Sequence, residues 1–276
     1  MSAPFYAPSI VRLSENTVGR DFIVGDLHGA FDVLKIALQD VKFDTKSDRL
    51  FVVGDLVDRG GYSYYASRLL AKEWVYSVRG NHEDMFLELY EDTDTPDPAV
   101  VKLVCSRNGM DWWFDLDQHS RIETIQAFRK LPLVYEVPTQ RGLVGIVHAE
   151  VPHGMSWEEF KSGIESGSKR VIESALWGRT RFTKGDTSGV RGIDRLFVGH
   201  TVRYEGVQRL GNVYGIDTGA VFSISQTEGT RLSFADLACE TQVLCTPKPK
   251  HEGLVDLRGE SSGAPKVSYP FGKYSI

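Results

Sequence analysis

The sequence predicts an α/β protein, with a parallel, crossover-linked sheet first and a second, mainly antiparallel sheet after it. Three observations carry that prediction. Short apolar runs alternate with helix-patterned stretches between residues 22 and 78. These runs end in glycine-bearing turns rich in Asp, His and Asn. Three short strand-like runs then follow one another closely after residue 210. Strands that alternate with helices pair in parallel through right-handed crossovers. Their turns then fall at one sheet edge, where open α/β sheets place ligands.

Residues 1–20, which contain Pro4 and Pro8, read as an irregular lead-in. Phe22-Ile23-Val24 is apolar throughout, the pattern of a strand covered on both faces. From Ala30 to Asp40, Val33, Leu34, Ala37 and Leu38 recur at spacings of three and four, which predicts a helix. Leu50 to Val53 reads as the second strand, Tyr62 to Lys72 as a helix and Trp74 to Val78 as the third strand. The acidic stretch from Glu91 to Pro98 is broken by prolines and reads as an exposed loop. Val100 to Arg107 and His119 to Leu131 are helix-patterned and flank the aromatic patch Trp112-Trp113-Phe114. Residues 92–131 therefore read as a helical insertion that covers or borders the site. The aromatic residues there, with Tyr62, Tyr64 and Tyr65, read chiefly as packing residues.

Leu133 to Val137 and Leu143 to Val147 are strand-like, and Ser156 to Trp177 holds two helical segments. Leu196 to Val198 reads as a strand, and Val213 to Ile216, Val221 to Ile224 and Arg231 to Phe234 as strands of the second sheet. From Thr246 onward Pro, Gly, Ser and charge displace any periodicity, so residues 246–276 are expected to be a loosely ordered tail behind a domain spanning 21–245.

Composition narrows the class. Apolar residues make up 41% of the 276-residue chain and charged residues 25%, ordinary for a globular protein. A net charge of −5 argues against nucleic-acid binding by charge alone. Cys105, Cys239 and Cys245 are odd in number and not spaced as CxxC pairs, which argues for plain thiols over disulfides or a zinc ribbon. The first residues lack a basic region followed by an apolar stretch, and no apolar run is long enough to span a bilayer. A cytoplasmic setting without membrane contact is expected.

The chemistry sits in three turns: Gly25-Asp26-Leu27-His28-Gly29, Gly54-Asp55-Leu56-Val57-Asp58-Arg59-Gly60 and Gly80-Asn81-His82-Glu83. Asp26 and His28 lie two apart on a segment read as extended, which puts both side chains on one side. Asp55 ends the next strand and can serve two ions. Asn81 adds a neutral oxygen, and His148 and His200, each after an apolar strand, can close the second shell. Carboxylate oxygens with imidazole nitrogens suit divalent first-row metals. Two ions sharing one carboxylate would lie roughly 3.5–4 Å apart. Arg59 suits a phosphate. The pattern predicts two-metal phosphoester chemistry. His119, His153 and His251 have no comparable setting and read as ordinary polar residues.

These three turns resemble the core motifs of the phosphoprotein phosphatase family of metallophosphoesterases, most closely its bacterial and bacteriophage (lambda-type) branch. The likeness extends to Asn108-Gly109, His148-Ala149, Leu176-Trp177-Gly178-Arg179, Gly199-His200-Thr201 and Asp217-Thr218-Gly219-Ala220-Val221, covering residues 20–235. It implies a central two-sheet β-sandwich flanked by helices, with a dinuclear metal site at the sheet edge. It implies that Asp26, His28 and Asp55 hold one ion, and Asp55, Asn81, His148 and His200 the other. Manganese would be the usual ion, with Fe, Zn, Ni or Mg as alternatives. His82 would be the general acid paired with Asp58, while Arg59 and Arg179, with Asn81, would grip the phosphate. Arg181, two positions on, reads as a surface charge. His148 is followed by Ala149-Glu150 where the eukaryotic branch has glycines, and the eukaryotic C-terminal segments for regulatory subunits are not visible. A monomer without a dedicated regulatory subunit is expected.

The resemblance thus implies hydrolysis of phosphoserine and phosphothreonine in proteins, extending to phosphotyrosine, by a metal-activated hydroxide. An alternative on the same scaffold is hydrolysis of dinucleoside polyphosphates or other nucleotides, whose relatives carry a different residue where this chain has Asp58. A non-catalytic, metal-stabilised binding module is the third reading, and the full set of candidate catalytic groups argues against it.

Overall fold

The computed structural model describes residues 8–223 and 229–238, and the backbone alone of 243–245. In chain order the elements are Ile10–Arg12 (β1), Asp21–Val24 (β2), Phe31–Asp40 (α1), Arg49–Val52 (β3), Ala66–Leu70 (α2), Val75–Ser77 (β4), Asn81–Leu89 (α3), Pro98–Asn108 (α4) and Gln118–Arg129 (α5). Then come Val134–Thr139 (β5), Gly142–Val147 (β6), Trp157–Glu165 (α6), Lys169–Trp177 (α7), Thr180–Lys184 (α8), Arg195–Val198 (β7), Gln208–Leu210 (β8), Val213–Gly215 (β9), Ser233–Asp236 (β10) and Val243–Cys245 (β11). One sheet runs β11-β10-β2-β3-β4 and the other β1-β5-β6-β7-β9-β8.

The two sheets face each other as a sandwich, and strand alternation explains how. Ile23, Phe51 and Val53 turn inward to meet Tyr135, Val144, Ile146 and Phe197 of the opposite sheet. Their neighbours Phe22, Val24, Leu50 and Val52 turn the other way, under α1 and the helices that follow. On the far side, Val134, Val147, Leu196 and Val198 pack against Trp157, Phe160 and Val171 of α6 and α7. Strands buried on both faces need apolar residues at every position, which is why the first runs show no polar alternation. Parallel pairing of β2 with β3, β3 with β4, and β6 with β7 brings five strand ends to one edge of the sandwich.

Several expectations are corrected. The lead-in is not wholly irregular: β1 pairs in parallel with β5, Ile10 opposite Val134, and three residues at a sheet edge are too few to show a period. The second sheet is mixed rather than mainly antiparallel, since β1–β5, β6–β7 and β7–β9 are parallel. Val221 begins no strand: Ala220–Ser223 is a 3-10 turn, entered through Gly219 at φ +75 and closed by Ser223 Oγ donating to Ala220 O at 2.6 Å. The helix read over 62–72 is a 3-10 turn, Ser63–Tyr65, running into the short α2. The third glycine turn is the start of α3, with Gly80 at its N-cap.

The segment read as an insertion shares a core with the first sheet, through Val101, Cys105, Met110, Trp113, Ile125 and Phe128. Tyr62, Tyr65 and Trp113 are buried in that core, as their packing role requires. Cys105 is a buried free thiol. Arg181 is no surface charge. It is buried, donating to the carbonyls of Asp186 and Gly189 at 3.2 and 3.4 Å and pairing with the Asp186 carboxylate at 3.1 Å. Cys239, His251 and the tail 246–276 lie outside the described residues, and of Cys245 only the backbone is described. Among the described residues no helix is long and apolar enough to cross a membrane.

A buried charge cluster ties the second sheet to α6. Glu136 on β5 accepts from Trp157 Nε1 at 3.0 Å, from Lys161 Nζ at 3.0 and 3.2 Å, and from Arg12 Nε at 3.2 Å. Burial pushes the Glu136 carboxyl up, but the Lys161 and Trp157 hydrogen bonds outweigh it and hold the group below its ordinary value. A depressed carboxylate contributes stability above its unfolded pKa and loses it as pH falls through the folded one. Lys161→Met should therefore cost about 3 kcal/mol at neutral pH by removing the buried ammonium and leaving the carboxylate only Trp157 and the exposed Arg12. Chemical denaturation of both proteins should show that gap narrowing between about pH 7 and pH 4, as Glu136 protonates in the variant. A gap independent of pH would mean that Lys161 acts by packing alone.

Candidate metal centre

The three turns are stitched into one backbone unit. Leu27 N and His28 N donate to Asp55 O at 3.0 and 2.8 Å, and Gly29 N donates to Leu56 O at 2.7 Å. Glu83, fully buried in the first turn of α3, accepts from Asp55 N at 3.0 Å, Leu56 N at 2.8 Å and Gly80 N at 2.9 Å. One carboxylate thus joins the second turn to the third. The backbone it holds is unusual. His28, Asp55, Asp58, Arg59 and His200 all have positive φ, and Lys42 is the only other such non-glycine residue among those described. Left-handed conformations in ordinary residues persist where surrounding bonds over-determine them. They also mean that Asp26 and His28 do not share a side by strand alternation, since at His28 the chain has already left the extended conformation.

Space is equally constrained. A Cβ at Gly199 would lie 1.9 Å from Asp26 Oδ1, and one at Gly80 would lie 2.2 Å from Asp55 Oδ1. Only glycine lets the neighbouring backbones approach these carboxylates.

Asp55 is the hub. Its Oδ1 accepts from His82 N at 3.0 Å and lies 3.5 Å from His148 Nε2, and its Oδ2 lies 3.4 Å from His28 Nε2. Two groups of potential ligand atoms form around it, His28 with Asp55 and His82, and Asp55 with His148 and His200. Asn81 Oδ1 lies 2.9 Å from His148 Nε2, beside the second group. Asp26 belongs to neither group. Its carboxylate accepts the His200 N–H at 3.0 and 3.2 Å, beneath the second one. His82, read from sequence as an acid alone, falls within the first group.

The histidines fit a metal. Nδ1 of His28 donates to Val57 O at 2.8 Å and Nδ1 of His148 to Val53 O at 2.7 Å, because a carbonyl can only accept. Each Nε2 then offers a lone pair to the site, the arrangement usual in metal-ligating histidines. His200 Nε2 is buried without a hydrogen-bond partner. Burial lowers all three: His28 and His200 fall to about 3, and His148 moves in the same direction. Neutral imidazoles clustered round a carboxylate are the donor set expected of a borderline divalent ion. Asp55 itself sits below its usual range. Burial opposes this, but His148, His82 and His28 outweigh it.

A second motif adjoins the hub. His82 Nδ1 donates to Asp58 Oδ2 at 2.5 Å, and Asp58 is fully buried. Burial pushes His82 down, yet Asp55 and Asp58 together leave it raised. Arg59 Nη2 donates to His82 Nε2 at 2.9 Å, and its Nη1 contacts His28 Nε2. Arg179 Nη1 donates to His200 O at 3.1 Å, so both arginines border the cluster.

Sequence reasoning passed over Glu83, Asp217 and the link to Trp112. Glu83 follows Gly80 by three residues, the spacing of a capping box, which was a usable signal. Asp217 is buried and its Oδ1 accepts from Gly219 N at 2.9 Å, and burial with the Asp55 charge pushes it up to about 6. Trp112 Nε1 donates to Asp58 Oδ1 at 2.7 Å, a long-range contact that no local pattern shows. His119 and His153 pair only with the carboxylates of Glu123 and Asp186, at 3.3 and 2.8 Å, far from this constellation in role.

The family model for calcineurin-like phosphoesterases matches residues 22–204. The chain is 34% identical over 206 residues to serine/threonine-protein phosphatase 2 of Escherichia coli, covering 72% of this chain and 87% of that protein. It is 33% identical over 159 residues to a symmetrical bis(5'-nucleosyl)-tetraphosphatase of Glaesserella parasuis, covering 57% and 52%. A crystal structure described as a candidate diadenosine tetraphosphatase superposes with TM-score 0.59 at 25% identity, over 87% of this chain and 98% of that one. With its imidazoles and shared carboxylate gathered at the strand ends of a two-sheet sandwich, the chain belongs to the calcineurin-like phosphoesterase family.

Proposed function

We propose that this chain is a metal-dependent phosphomonoesterase that hydrolyses phosphoserine and phosphothreonine in proteins, extending to phosphotyrosine. The carrying observation is the buried His82–Asp58 pair at 2.5 Å beside the metal cluster. A serine alkoxide is a poor leaving group and needs a positioned proton donor. The similarity to a bacterial protein named as a serine/threonine phosphatase supports the same reading.

In this reading Asp26, His28 and Asp55 would hold one divalent ion, and Asp55, Asn81, His148 and His200 the other, with manganese preferred. When bound, such ions supply Lewis-acid stabilisation of phosphoryl charge and activate water near neutral pH. The chain's residues do the rest. Arg59 and Arg179, with Asn81, bind the phosphate oxygens, and a guanidinium can take two at once. In the structure Arg59 donates to Nε2 of His82 and contacts Nε2 of His28. Neither lone pair can serve an Arg59 N–H and another partner together. Phosphate binding would therefore draw Arg59 away, leaving Nε2 of His82 to carry the proton that goes to the departing oxygen. Asp58 keeps the ring oriented and favours its charged form.

Hydrolysis of dinucleoside polyphosphates is the second reading, favoured by the similarity to the Glaesserella parasuis protein. Metal-replete protein assayed on a phosphoserine peptide and on diadenosine tetraphosphate separates the two. Faster turnover of the peptide is expected, and turnover of the nucleotide alone would reverse the assignment.

His82→Asn should slow a phosphoserine peptide about a hundredfold or more but an activated aryl phosphate only about tenfold, because the aryl leaving group needs no proton. Equal losses on both would remove His82 from the acid role. Asp55→Asn should weaken both ions, read by titration calorimetry as lower affinity and lower stoichiometry. Unchanged binding would rule out a shared carboxylate.

A further inference from the structure

The helical segment between α4 and α5 meets the site at two points. Arg59 N donates to Gly109 O at 2.7 Å, where Gly109 turns the chain at φ +73, and Trp112 Nε1 donates to Asp58 Oδ1 at 2.7 Å. A Cβ at Gly109 would lie 3.0 Å from Arg59 Cγ, so the segment is held close. Trp112 is itself braced by edge-on contacts with Phe86 at 5.7 Å and Trp113 at 5.4 Å, both rings fully buried.

The geometry around Asp58 is divided. One carboxylate oxygen holds His82 and the other holds Trp112, while Asp58 N donates to Ser63 Oγ at 2.8 Å. With both oxygens bound from fixed directions, the carboxylate plane cannot turn. An imidazole hung on one oxygen inherits that orientation. Removing the indole donor frees the plane and leaves a buried carboxylate oxygen unpaired.

We propose that Trp112 is a positioning residue for proton delivery: its indole N–H fixes the Asp58 carboxylate and, through it, the imidazole of His82. This rests on the acid role proposed for His82. It makes the segment carrying Trp112 part of the machinery that decides how well a poor leaving group departs, beyond its share in the core.

Two measurements test it. The first needs no activity and no variant at position 112. In the wild-type NMR spectrum the Trp112 indole N–H should resonate downfield, exchange slowly and shift in Asp58→Asn. A fast-exchanging indole signal that ignores Asp58→Asn would overturn the proposal. The second uses Trp112→Phe, which keeps a ring but loses the donor. In metal-replete full-length protein, kcat on a phosphoserine peptide should fall about tenfold and kcat on an aryl phosphate about twofold at most, with KM unchanged on both. The same substitution should add nothing on the peptide in a His82→Asn background, since contacts that act through one group are not additive. Equal losses on both substrates, or full additivity with His82→Asn, would make Trp112 a packing residue only. If His82→Asn is selective for the peptide and Trp112→Phe is not, this proposal falls alone; if His82→Asn shows no selectivity, both fall.

Discussion

The site depends on the grip of Glu83 on the backbone of Asp55. Asp55 stands at φ +50, a conformation its side chain does not favour, and its N–H and that of Leu56 both end on the Glu83 carboxylate. Glu83 also takes the Gly80 N–H, so the second strand's turn and the start of α3 become one rigid object. The Leu27 and His28 N–H groups hold Asp55 from its carbonyl side, and Glu83 holds it from its own N–H, between His28 on one side and His148 on the other. Burial and the Asp55 charge push the Glu83 carboxyl up to about 8, and its backbone donors offset only part of that cost. Backbone strain of this kind is stored where the surroundings over-determine it, and here five strained residues share one edge of the sandwich.

From that fixed point the electrostatics follow. The buried histidines stay neutral and present one nitrogen each, while their other nitrogens are spent on backbone carbonyls. His82 differs because it alone has a carboxylate on its second nitrogen, and it is shifted the opposite way. Environment thus splits one residue type into candidate ligands and a candidate acid. The second sheet contributes as well: His148 and His200 follow the parallel strands β6 and β7, and Gly199 N donating to His148 O at 2.7 Å locks the two ends together.

Much of this was legible in the sequence. Apolar runs such as Phe22 to Val24 and Leu50 to Val53 announced strands covered on both faces, and the turns after them supplied the site residues in order. What stayed hidden was short or long-range. β1 and β8 are three residues each, and Arg12, Gln208 and Arg209 leave no apolar run there to read. Val221 has strand propensity, but Gly219 and the Ser223 hydroxyl fold it into a tight turn. Arg181 reads like Arg179 in the sequence, yet three acceptors from the 186–189 loop draw it into the interior. Trp112 meets Asp58 across 54 positions, and only the assembled fold brings them together.

In the proposed function one carboxylate, Asp55, would serve two neighbouring cations. Anomalous diffraction from crystals soaked in manganese would show the sharing. Two peaks are expected roughly 3.5–4 Å apart with the Asp55 carboxylate between them, one beside His28 and the other beside His148 and His200. No peak there, or a single one away from Asp55, would contradict it.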